Sequence, residues 1–250
     1  MKIGIVGFGN LGRSLASGLI KSGCAGVGDM YVCEVDHDAQ DTAHGEPYHA
    51  FVSSDINDII IYSDIVFLTV KGYVFESLSS NIDKSVLEDK IIVSFMAGVP
   101  FEKIYSMIGD VTLVRAMPSL AIASCDGVIG YTAAPDMAVE IFRKLGYAFE
   151  TEPADIEKVM AFSSCGLGFA AYLIDAFASA GTAMGFSPEV SAHIAALTFK
   201  NAVDRGGFRE TVRAVATKGG ATEQGVLHMN ECSVYDIISK AVRKAYERMI

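Results

Sequence analysis

The chain opens with three glycines between an apolar strand and a helix, and no other stretch constrains the fold as strongly. Lys2–Val6 reads as a buried strand, and the run Gly7-Phe8-Gly9-Asn10-Leu11-Gly12 follows it directly. Leu15 and Leu19 then recur at helical spacing. A bare Gly-x-Gly-x-x-Gly is weak, but in this strand, turn and helix context it predicts a dinucleotide-binding βαβ unit.

Each glycine of this turn has a physical role in such a site. Gly7 permits the tight turn, Gly9 lets the backbone approach a pyrophosphate, and Gly12 lets the helix pack closely on the strand. The amides at the helix N-terminus then face the phosphates. The residues predicted to bind the cofactor here are Gly7, Phe8, Gly9, Asn10, Leu11 and Gly12.

An acidic residue in the second strand bears on which dinucleotide binds. Within Met30–Asp36, Glu34 lies roughly 20 residues beyond Gly12, where a carboxylate suits a ribose 2′-hydroxyl. The residues from Glu34 to Gln40 include no Lys or Arg that would meet the 2′-phosphate of NADPH. We therefore expect NAD(P)H, with NADH weakly favoured. The alternative is that Glu34 and Asp36 only form a polar strand end and a turn.

Short apolar runs alternate with helical patterns through residues 1–152, and this alternation predicts a parallel, doubly wound sheet. After Glu152-Pro153 the strand-like runs stop, and stretches rich in Ala, Leu, Ile and Met continue. We predict an α/β fold with a Rossmann-type domain at residues 1–152 and an all-helical dimerisation domain at residues 153–250. The strands predicted after the first are Met30–Val35, Ile65–Val70, Ile91–Phe95, Thr112–Ala116 and Val128–Tyr131.

Capping and breaking residues agree with this division. Helices are predicted after Asp55 and after Pro135, the second of them ending at Leu145. In the helical domain, breaks are predicted at Gly185–Pro188, Gly206-Gly207 and Gly219-Gly220.

Charge and residue usage restrict the class of function. The net charge of −10 and the pI of about 4.9 disfavour binding to nucleic acid or to an anionic membrane. The chain has no charged leader and no apolar run of membrane-spanning length, so we expect a cytoplasmic protein that acts on a small molecule. Its five cysteines form no C-x-x-C pair and its five histidines are scattered, so neither a disulfide framework nor a metal site is predicted.

The predicted helices of the second domain are too apolar for one small domain to bury. Ala170–Met184 and Val190–Val203 are the clearest cases. Pairing with a second copy of the chain would cover this surface, so we predict an obligate homodimer or a higher assembly.

Two groups of loops are candidates for chemistry. In a doubly wound sheet the ligand lies at the carboxyl ends of the strands, which lead here into Val70-Lys71-Gly72, Met96–Pro100 and Arg115–Ser119. The other candidate is the glycine-rich turn Thr217–Thr222, because free amides at a helix N-terminus would bind a carboxylate. Thr222 would offer its hydroxyl to a substrate nitrogen, unless it is only a helix N-cap.

Together these features resemble the pyrroline-5-carboxylate reductase family, whose members reduce a cyclic imine to proline. The resemblance covers nearly the whole chain, and Gly219-Gly220-Ala221-Thr222 carries it most specifically. It implies NAD(P)H as cofactor and a cyclic imino acid, most simply 1-pyrroline-5-carboxylate, as substrate. The other matching runs are the first glycine motif, Thr69-Val70-Lys71, Ala97-Gly98-Val99, Val114–Pro118, and Ile174-Asp175-Ala176 followed by Gly185.

The resemblance also implies roles for single residues. Thr222 would be catalytic, through a hydrogen bond to the imine nitrogen at a substrate turn completed at a dimer interface. The residues implied to bind substrate are Thr217, Lys218, Gly219, Gly220, Ala221, Cys165 and Gly166. The further residues implied to bind the cofactor are Val70, Lys71, Ala97, Gly98, Met117, Pro118 and Ser119.

Several loops depart from the family pattern. Ser119-Leu120-Ala121 stands where the family usually has Asn-x-Pro, and Cys165–Phe169 replaces Ser-Gly-Pro-Ala-Tyr. Two alternatives therefore stay open: an oxidoreductase of the same build acting on a different imine or a keto/hydroxy acid, and a non-catalytic dinucleotide-binding regulator. Hydroxy-acid dehydrogenases usually rely on Lys-x-x-x-Asn, whereas Lys158 is followed by Phe162, which argues against that class.

Overall fold

A computed structural model describes residues 1–249, and residue 250, the last of the predicted helical domain, lies outside the described range. The chain divides into two compact units, one of Met1–Ser164 with the chain end from Tyr246 and one of Cys165–Ala245. This division falls later than the domain boundary predicted after Glu152. The reason is that the segment after Pro153 packs on the sheet, where Ile156 is fully buried.

The first unit is built on a single sheet. Its strands are β1 (Ile3–Val6), β2 (Met30–Cys33), β3 (Phe51–Ser53), β4 (Ile65–Leu68), β5 (Ile91–Ser94), β6 (Thr112–Pro118), β7 (Gly127–Tyr131) and β8 (Gly146–Glu150). The order across the sheet is β3-β2-β1-β4-β5-β6-β7-β8. The chain thus runs outwards in both directions from β1 and β4, which confirms the predicted doubly wound fold. Val6, Cys33 and Leu68 are aligned across β1, β2 and β4, so these strands end at the same edge of the sheet.

The sheet is mixed rather than wholly parallel, which corrects the sequence prediction. β7 runs antiparallel to β6, with Ala116 opposite Tyr131, whereas the other neighbouring strands are parallel. Only the short segment Ser119–Asp126 joins these two strands. A parallel neighbour needs a crossover of about a dozen residues or more, so the chain turns back instead.

The sequence analysis missed two strands, and both lie at edges of the sheet. β3 has only 3 residues, too few to show an alternating pattern. β8 begins at Gly146, directly after a helix, so the residue that predicted a helix end also begins a strand. Gly146 has a φ of 148°, and a side chain there would lie 2.1 Å from the carbonyl oxygen of Gly127 in β7.

Helices cover both faces of the sheet. They are α1 (Asn10–Lys21), α2 (His37–His44), α3 (Ile56–Tyr62), α4 (Gly72–Ser79), α5 (Phe101–Ile108), α6 (Asp136–Leu145) and α7 (Ile156–Val159). Because side chains alternate along a strand, Ile5 of β1 faces one core with α1, α2 and α6, while Val6 faces the other with α3, α4 and α5. A π-helical turn, Met160–Ser164, follows α7.

The second unit is helical. It contains α8 (Cys165–Ala183), α9 (Pro188–Arg205), α10 (Phe208–Val215), α11 (Ala221–Glu231) and α12 (Val234–Glu247) up to Ala245. Among the described residues of these helices only Ser191 and Ala195 are buried. Large apolar side chains are open instead, with Tyr172 73% exposed and Met184 81% exposed.

One helical stretch corrects a statement made from the sequence. Residues Pro153–Ala183 form a helix that is long and apolar enough, by length and composition alone, to cross a membrane. The sequence analysis found no stretch of that kind. A single such helix is weak evidence for a membrane span, because core helices of soluble proteins pass the same test.

Candidate functional site

A cleft opens at the carboxyl ends of β1 and β4, where the chain turns away to opposite sides of the sheet. This is the position at which doubly wound folds bind their ligands. The cleft has a volume of about 490 Å³, and we call it the cofactor cleft. It is lined by Gly7, Gly9, Asn10, Leu11, Glu34, Thr69, Val70, Lys71, Gly72, Val74, Phe95, Met96, Ala97, Leu120 and Met160.

The three glycines of the first turn meet three different surroundings. Gly7 has a φ of 94°, and a side chain there would lie 2.5 Å from Val70 Cγ1. A side chain at Gly12 would lie 2.2 Å from the carbonyl oxygen of Gly7, so α1 packs directly on the turn. A side chain at Gly9 would meet nothing within 4 Å. The open space is therefore at Gly9, the glycine predicted to let a pyrophosphate approach the backbone.

Two side chains, one from the residue after β4 and one from α1, hold this turn in place. The Thr69 hydroxyl donates to the Gly7 carbonyl oxygen at 2.7 Å, and Arg13 Nε donates to the Phe8 carbonyl oxygen at 2.9 Å. The N-cap residue of α1 is Gly9, and it makes no side-chain hydrogen bond to the amides of the helix. The amides of the first helical turn therefore face the cleft with the positive end of the helix dipole, as an anion requires.

Glu34 fixes the turn from the neighbouring strand. Its Oε2 accepts from the Phe8 amide at 2.7 Å, and its Oε1 accepts from the amides of Val35 at 2.7 Å and Asp36 at 3.1 Å. The carboxylate is thus held by backbone donors at the rim of the cofactor cleft. These bonds show the polar strand end that the sequence offered as one alternative, and the role of Glu34 toward a ribose stays a prediction.

Six residues predicted to bind the cofactor are not part of the cleft lining: Phe8, Gly12, Gly98, Met117, Pro118 and Ser119. The ring of Phe8 is fully buried and lies edge-on to Tyr48 at 5.2 Å between centroids, so only the backbone of Phe8 faces the turn. The Ser119 hydroxyl accepts from the Val128 amide at 3.1 Å, on the side of β7. The ligand roles of these six residues stay predictions.

Seven lining residues were not among the predicted site residues: Thr69, Gly72, Val74, Phe95, Met96, Leu120 and Met160. Gly72 and Met96 lie within the predicted loops, and widening each loop by one residue would have found Thr69, Phe95 and Leu120. Met160 lies beyond the predicted domain boundary and carries no local signal. It reaches the cleft because its π-helical turn lies against β6, where the Ser164 hydroxyl donates to the Pro118 carbonyl oxygen at 2.9 Å.

A buried thiol stands next to the site without the properties of a nucleophile. Cys33 ends β2 directly before Glu34, and burial, with smaller contributions from the charges of Glu34, Asp55 and Asp58, raises its pKa to about 12. The thiol therefore stays protonated at neutral pH. A reactive cysteine needs the opposite shift.

The predicted substrate turn belongs to the second unit. The Gly220 amide donates to the Thr217 carbonyl oxygen at 2.8 Å, and Gly219 has a φ of 76°. The Gly219 amide donates to Glu223 Oε2 at 2.7 Å, so a carboxylate of the chain itself occupies one donor of this turn. The Gly219 amide is therefore already paired with a side chain four residues further along the chain.

The N-cap of α11 is Gly220, not Thr222, which removes the simplest alternative for Thr222. Thr222 is the second residue of the helix and is exposed within its unit. Lys218 is also exposed, and Ala221 begins the helix. Cys165 and Gly166 begin α8. Their roles toward a substrate stay predictions.

Comparison with known protein families gives two matches, one at each end of the chain, which leave residues 99–152 between them. Residues 153–250 match the family model described as pyrroline-5-carboxylate reductase dimerisation. Residues 2–98 match the model described as NADP oxidoreductase, coenzyme F420-dependent. A pyrroline-5-carboxylate reductase of Methanosarcina acetivorans is 28% identical to this chain, over 99% of this chain and 96% of the relative.

Solved structures share the fold along the full length. The pyrroline carboxylate reductase of Plasmodium falciparum with NADP bound has a TM-score of 0.89 at 22% identity, covering 100% of this chain and 97% of that one. A 1-pyrroline-5-carboxylate reductase of Streptococcus pyogenes has a TM-score of 0.87 at 19% identity, covering 100% and 98%. The predicted fold class and the predicted family resemblance are thereby confirmed.

Proposed function

We propose that this chain is an NAD(P)-dependent oxidoreductase of the pyrroline-5-carboxylate reductase kind, which reduces 1-pyrroline-5-carboxylate to proline. The observation that carries the proposal is the cofactor cleft. It joins an open glycine backbone, a helix N-terminus and a fixed carboxylate at the carboxyl edge of a doubly wound sheet.

The residues of the cleft fit a reduced nicotinamide dinucleotide. Gly9 would leave room for the pyrophosphate, and the first amides of α1 would donate to its oxygens. Glu34 would accept from the hydroxyls of the adenosine ribose. When bound, the reduced nicotinamide supplies the hydride. The chain contributes placement, which can account for roughly 7–11 kcal/mol of a barrier in favourable cases.

NADH is the preferred cofactor in this proposal. Glu34 presents a carboxylate to the position of the ribose 2′-hydroxyl, and backbone amides hold it there. A 2′-phosphate would meet this charge at close range, with no Lys or Arg between Glu34 and Gln40 to offset it.

In this proposal the substrate binds at the turn from Thr217 to Thr222. The Gly219 amide, which donates to Glu223 in this structure, would donate to the substrate carboxylate instead. Lys218 adds a positive charge beside it. The Thr222 hydroxyl would orient the imine nitrogen and adjust its affinity for a proton, a role worth about 10²–10⁴-fold in rate for a positioned group. Cys165 and Gly166 complete the pocket in this proposal.

A different small imine is the second candidate substrate. Ser119 replaces the amide side chain usual in the family, and its hydroxyl bonds the Val128 amide rather than facing the cleft. A β-hydroxy acid is disfavoured. Lys158, the lysine such an enzyme would use, pairs with Asp155, which raises its pKa, and neither residue lines the cofactor cleft.

The protein works as a homodimer or a larger assembly of the same chain in this proposal. The support is the match of residues 153–250 to a dimerisation domain and the exposed apolar side chains of α8 to α12. A cytoplasmic location, the absence of a metal, and the absence of nucleic-acid or membrane partners stay predictions.

The test is oxidation of NADH and, separately, of NADPH by the purified protein with 1-pyrroline-5-carboxylate, followed by absorbance. We expect turnover with both and a higher kcat/KM with NADH. Turnover on another cyclic imine but not on this one would favour the second candidate. Cofactor binding without turnover on any imine would favour a non-catalytic regulator and contradict the proposal.

A further inference from the structure

A charged pair lies inside the first unit behind the cofactor cleft. Arg115 is in the middle of β6, where its neighbours are apolar, and it is only 2% exposed. Its two terminal nitrogens reach Glu157 of α7, with Nη2 to Oε1 at 2.6 Å and Nη1 to Oε2 at 3.5 Å. An arginine in a buried strand needs such a partner, and the pair joins two elements far apart in sequence.

Both members of the pair hold the same short loop. Arg115 Nη2 donates to the carbonyl oxygen of Met96 at 3.1 Å. Glu157 Oε1 accepts from the amide of Gly98 at 3.3 Å. The tripeptide Met96-Ala97-Gly98 is therefore held at its two ends, and Met96 and Ala97 line the cofactor cleft.

The tripeptide is also confined on the side that faces away from Arg115 and Glu157, where the end of the chain packs against Gly98. Gly98 has a φ of 66°, and a side chain there would lie 2.7 Å from the carbonyl oxygen of Met249. The chain end thus packs directly behind the loop. A shift of the tripeptide would break a bond to Arg115 or Glu157, or push Met249 away.

Stability alone does not explain the pair. Removing two charges from water costs several kcal/mol per ion, and apolar residues of similar volume often replace a buried ion pair without loss. Arg115 Nε is buried and finds no acceptor among residues 1–249, which adds to the cost. What apolar residues would not supply is a donor for Met96 and an acceptor for Gly98.

The position of the loop in the sheet indicates which part of the cofactor it faces. The order across the sheet is β2-β1-β4-β5, and Glu34 at the end of β2 marks the adenosine side. The dinucleotide then extends past β1 and β4 toward β5, which Met96–Gly98 follows. This loop therefore adjoins the nicotinamide half.

We propose that Arg115 and Glu157 are positioning residues, which hold Met96–Gly98 against the nicotinamide half of the cofactor. The proposal rests on the function proposed above. It predicts that loss of the pair weakens binding of the whole cofactor but not of its adenosine half, which the glycine turn and Glu34 hold.

The test compares NADH with ADP-ribose, which lacks nicotinamide, as ligands of the folded protein. The variant is Arg115→Met with Glu157→Met, because removing one partner alone leaves a buried charge. We expect ADP-ribose affinity and thermal midpoint close to those of the unmodified protein. NADH affinity should fall by about tenfold or more and kcat/KM by about 10²-fold, the loss typical of a displacement near 1 Å.

The matched control is Lys158→Met with Asp155→Leu, an exposed pair on the same segment that does not touch the loop. It should leave both affinities unchanged. If the buried double variant does not fold, Arg115→Lys takes its place, since a lysine keeps the charge but lacks the fork that reaches Glu157 and Met96 together.

The outcomes separate the two proposals. Unchanged NADH affinity in the variant, or equal losses for NADH and ADP-ribose, would overturn the positioning role. Failure of the unmodified protein to bind NADH would instead contradict the proposed function. A selective loss of NADH affinity supports both.

Discussion

The two units of this chain stabilise themselves in different ways. In the first, strands such as β1 and β4 are buried along their whole length, and helices close both faces of the sheet. In the second, five helices bury two residues among those described, while aromatic and aliphatic side chains stay open. The first unit carries its own core, whereas the second has apolar surface that only another molecule can cover.

The largest expected effect comes from placing charge on that open surface. Tyr172→Glu together with Leu197→Glu should convert the assembly to monomers, because burying unpaired carboxylates costs several kcal/mol each. Light scattering or sedimentation would measure the mass. Lys200→Gln, at an exposed position that is already polar, is the control. A double variant that keeps the parent mass would mean that another surface makes the assembly.

A second prediction asks whether the helical unit contributes chemistry as well as surface. Thr222→Ala should lower kcat/KM for the imine by about 10²–10⁴-fold, because a positioned hydrogen-bond donor is lost. NADH affinity should not change, since that site lies in the other unit. Thr222→Ser keeps the hydroxyl and should restore most of the rate. Equal rates for the alanine variant and the parent would remove Thr222 from the mechanism.

A third prediction separates packing from ligand binding within the first unit. Gly12→Ala should destabilise the fold by about 1–3 kcal/mol, because its side chain would overlap the Gly7 carbonyl group. Gly9→Ala should leave the thermal midpoint unchanged, since its φ of −72° suits alanine and the space is open. Both should weaken NADH binding by at least about tenfold, or roughly 1.4 kcal/mol. Calorimetry measures both quantities, and a Gly9→Ala protein that binds NADH normally would exclude the phosphate from this position.

A fourth prediction concerns cofactor choice at the rim of the cleft. Glu34→Gln should shift the NADPH to NADH preference by about tenfold toward NADPH, through loss of a repulsive charge worth roughly 1.4 kcal/mol. The ratio of the two kcat/KM values is the measure. Asp38→Asn removes the same charge from the same segment, and within residues 1–249 the Asp38 side chain has no hydrogen bond to the glycine turn. An equal shift in the control would show that general charge, not the position of Glu34, decides the choice.

The smallest effect concerns the buried thiol at the end of β2. With its pKa raised from 9.0 to about 12, Cys33 stays neutral in the folded state while the unfolded chain ionises. The neutral thiol therefore contributes to the free energy of unfolding. That contribution is complete below pH 9.0, and it is lost as the pH rises toward about 12. A thiol reagent at mildly alkaline pH should therefore label Cys33 only on unfolding, while the exposed Cys232 reacts in the native protein. Cys33→Ala identifies the signal, and rapid native labelling of Cys33 would contradict the shift.

Sequence reasoning worked where a local signal has one physical meaning. The glycine turn after β1 and the breaks between α8 and α11 were predicted because glycine and proline act on their own neighbours. Asp55 caps α3 as expected, with its carboxylate accepting from the Asn57 amide. The strand β8 was missed because Gly146, which predicted only the end of α6, is also the first residue of that strand.

The parts that sequence could not predict depend on contacts between distant segments. Met160 and Glu157 lie close together in the chain and approach the cleft only because α7 packs on β6. Arg115 did carry a signal, since a charge inside an apolar strand implies a buried partner. Its partner could not be named without the fold.

Phe8 gives the glycine turn a second attachment, on the side away from the ligand. Its amide and carbonyl belong to the turn, while its ring is enclosed with Tyr48, whose hydroxyl meets that of Ser17 at 3.0 Å. Cofactor affinity is thus open to drift, or to engineering, through substitutions of Tyr48 and Ser17 that never meet the cofactor. Substitutions that alter cofactor affinity should therefore be sought in the hydrophobic interior of the first unit as well as among the residues that line the cleft.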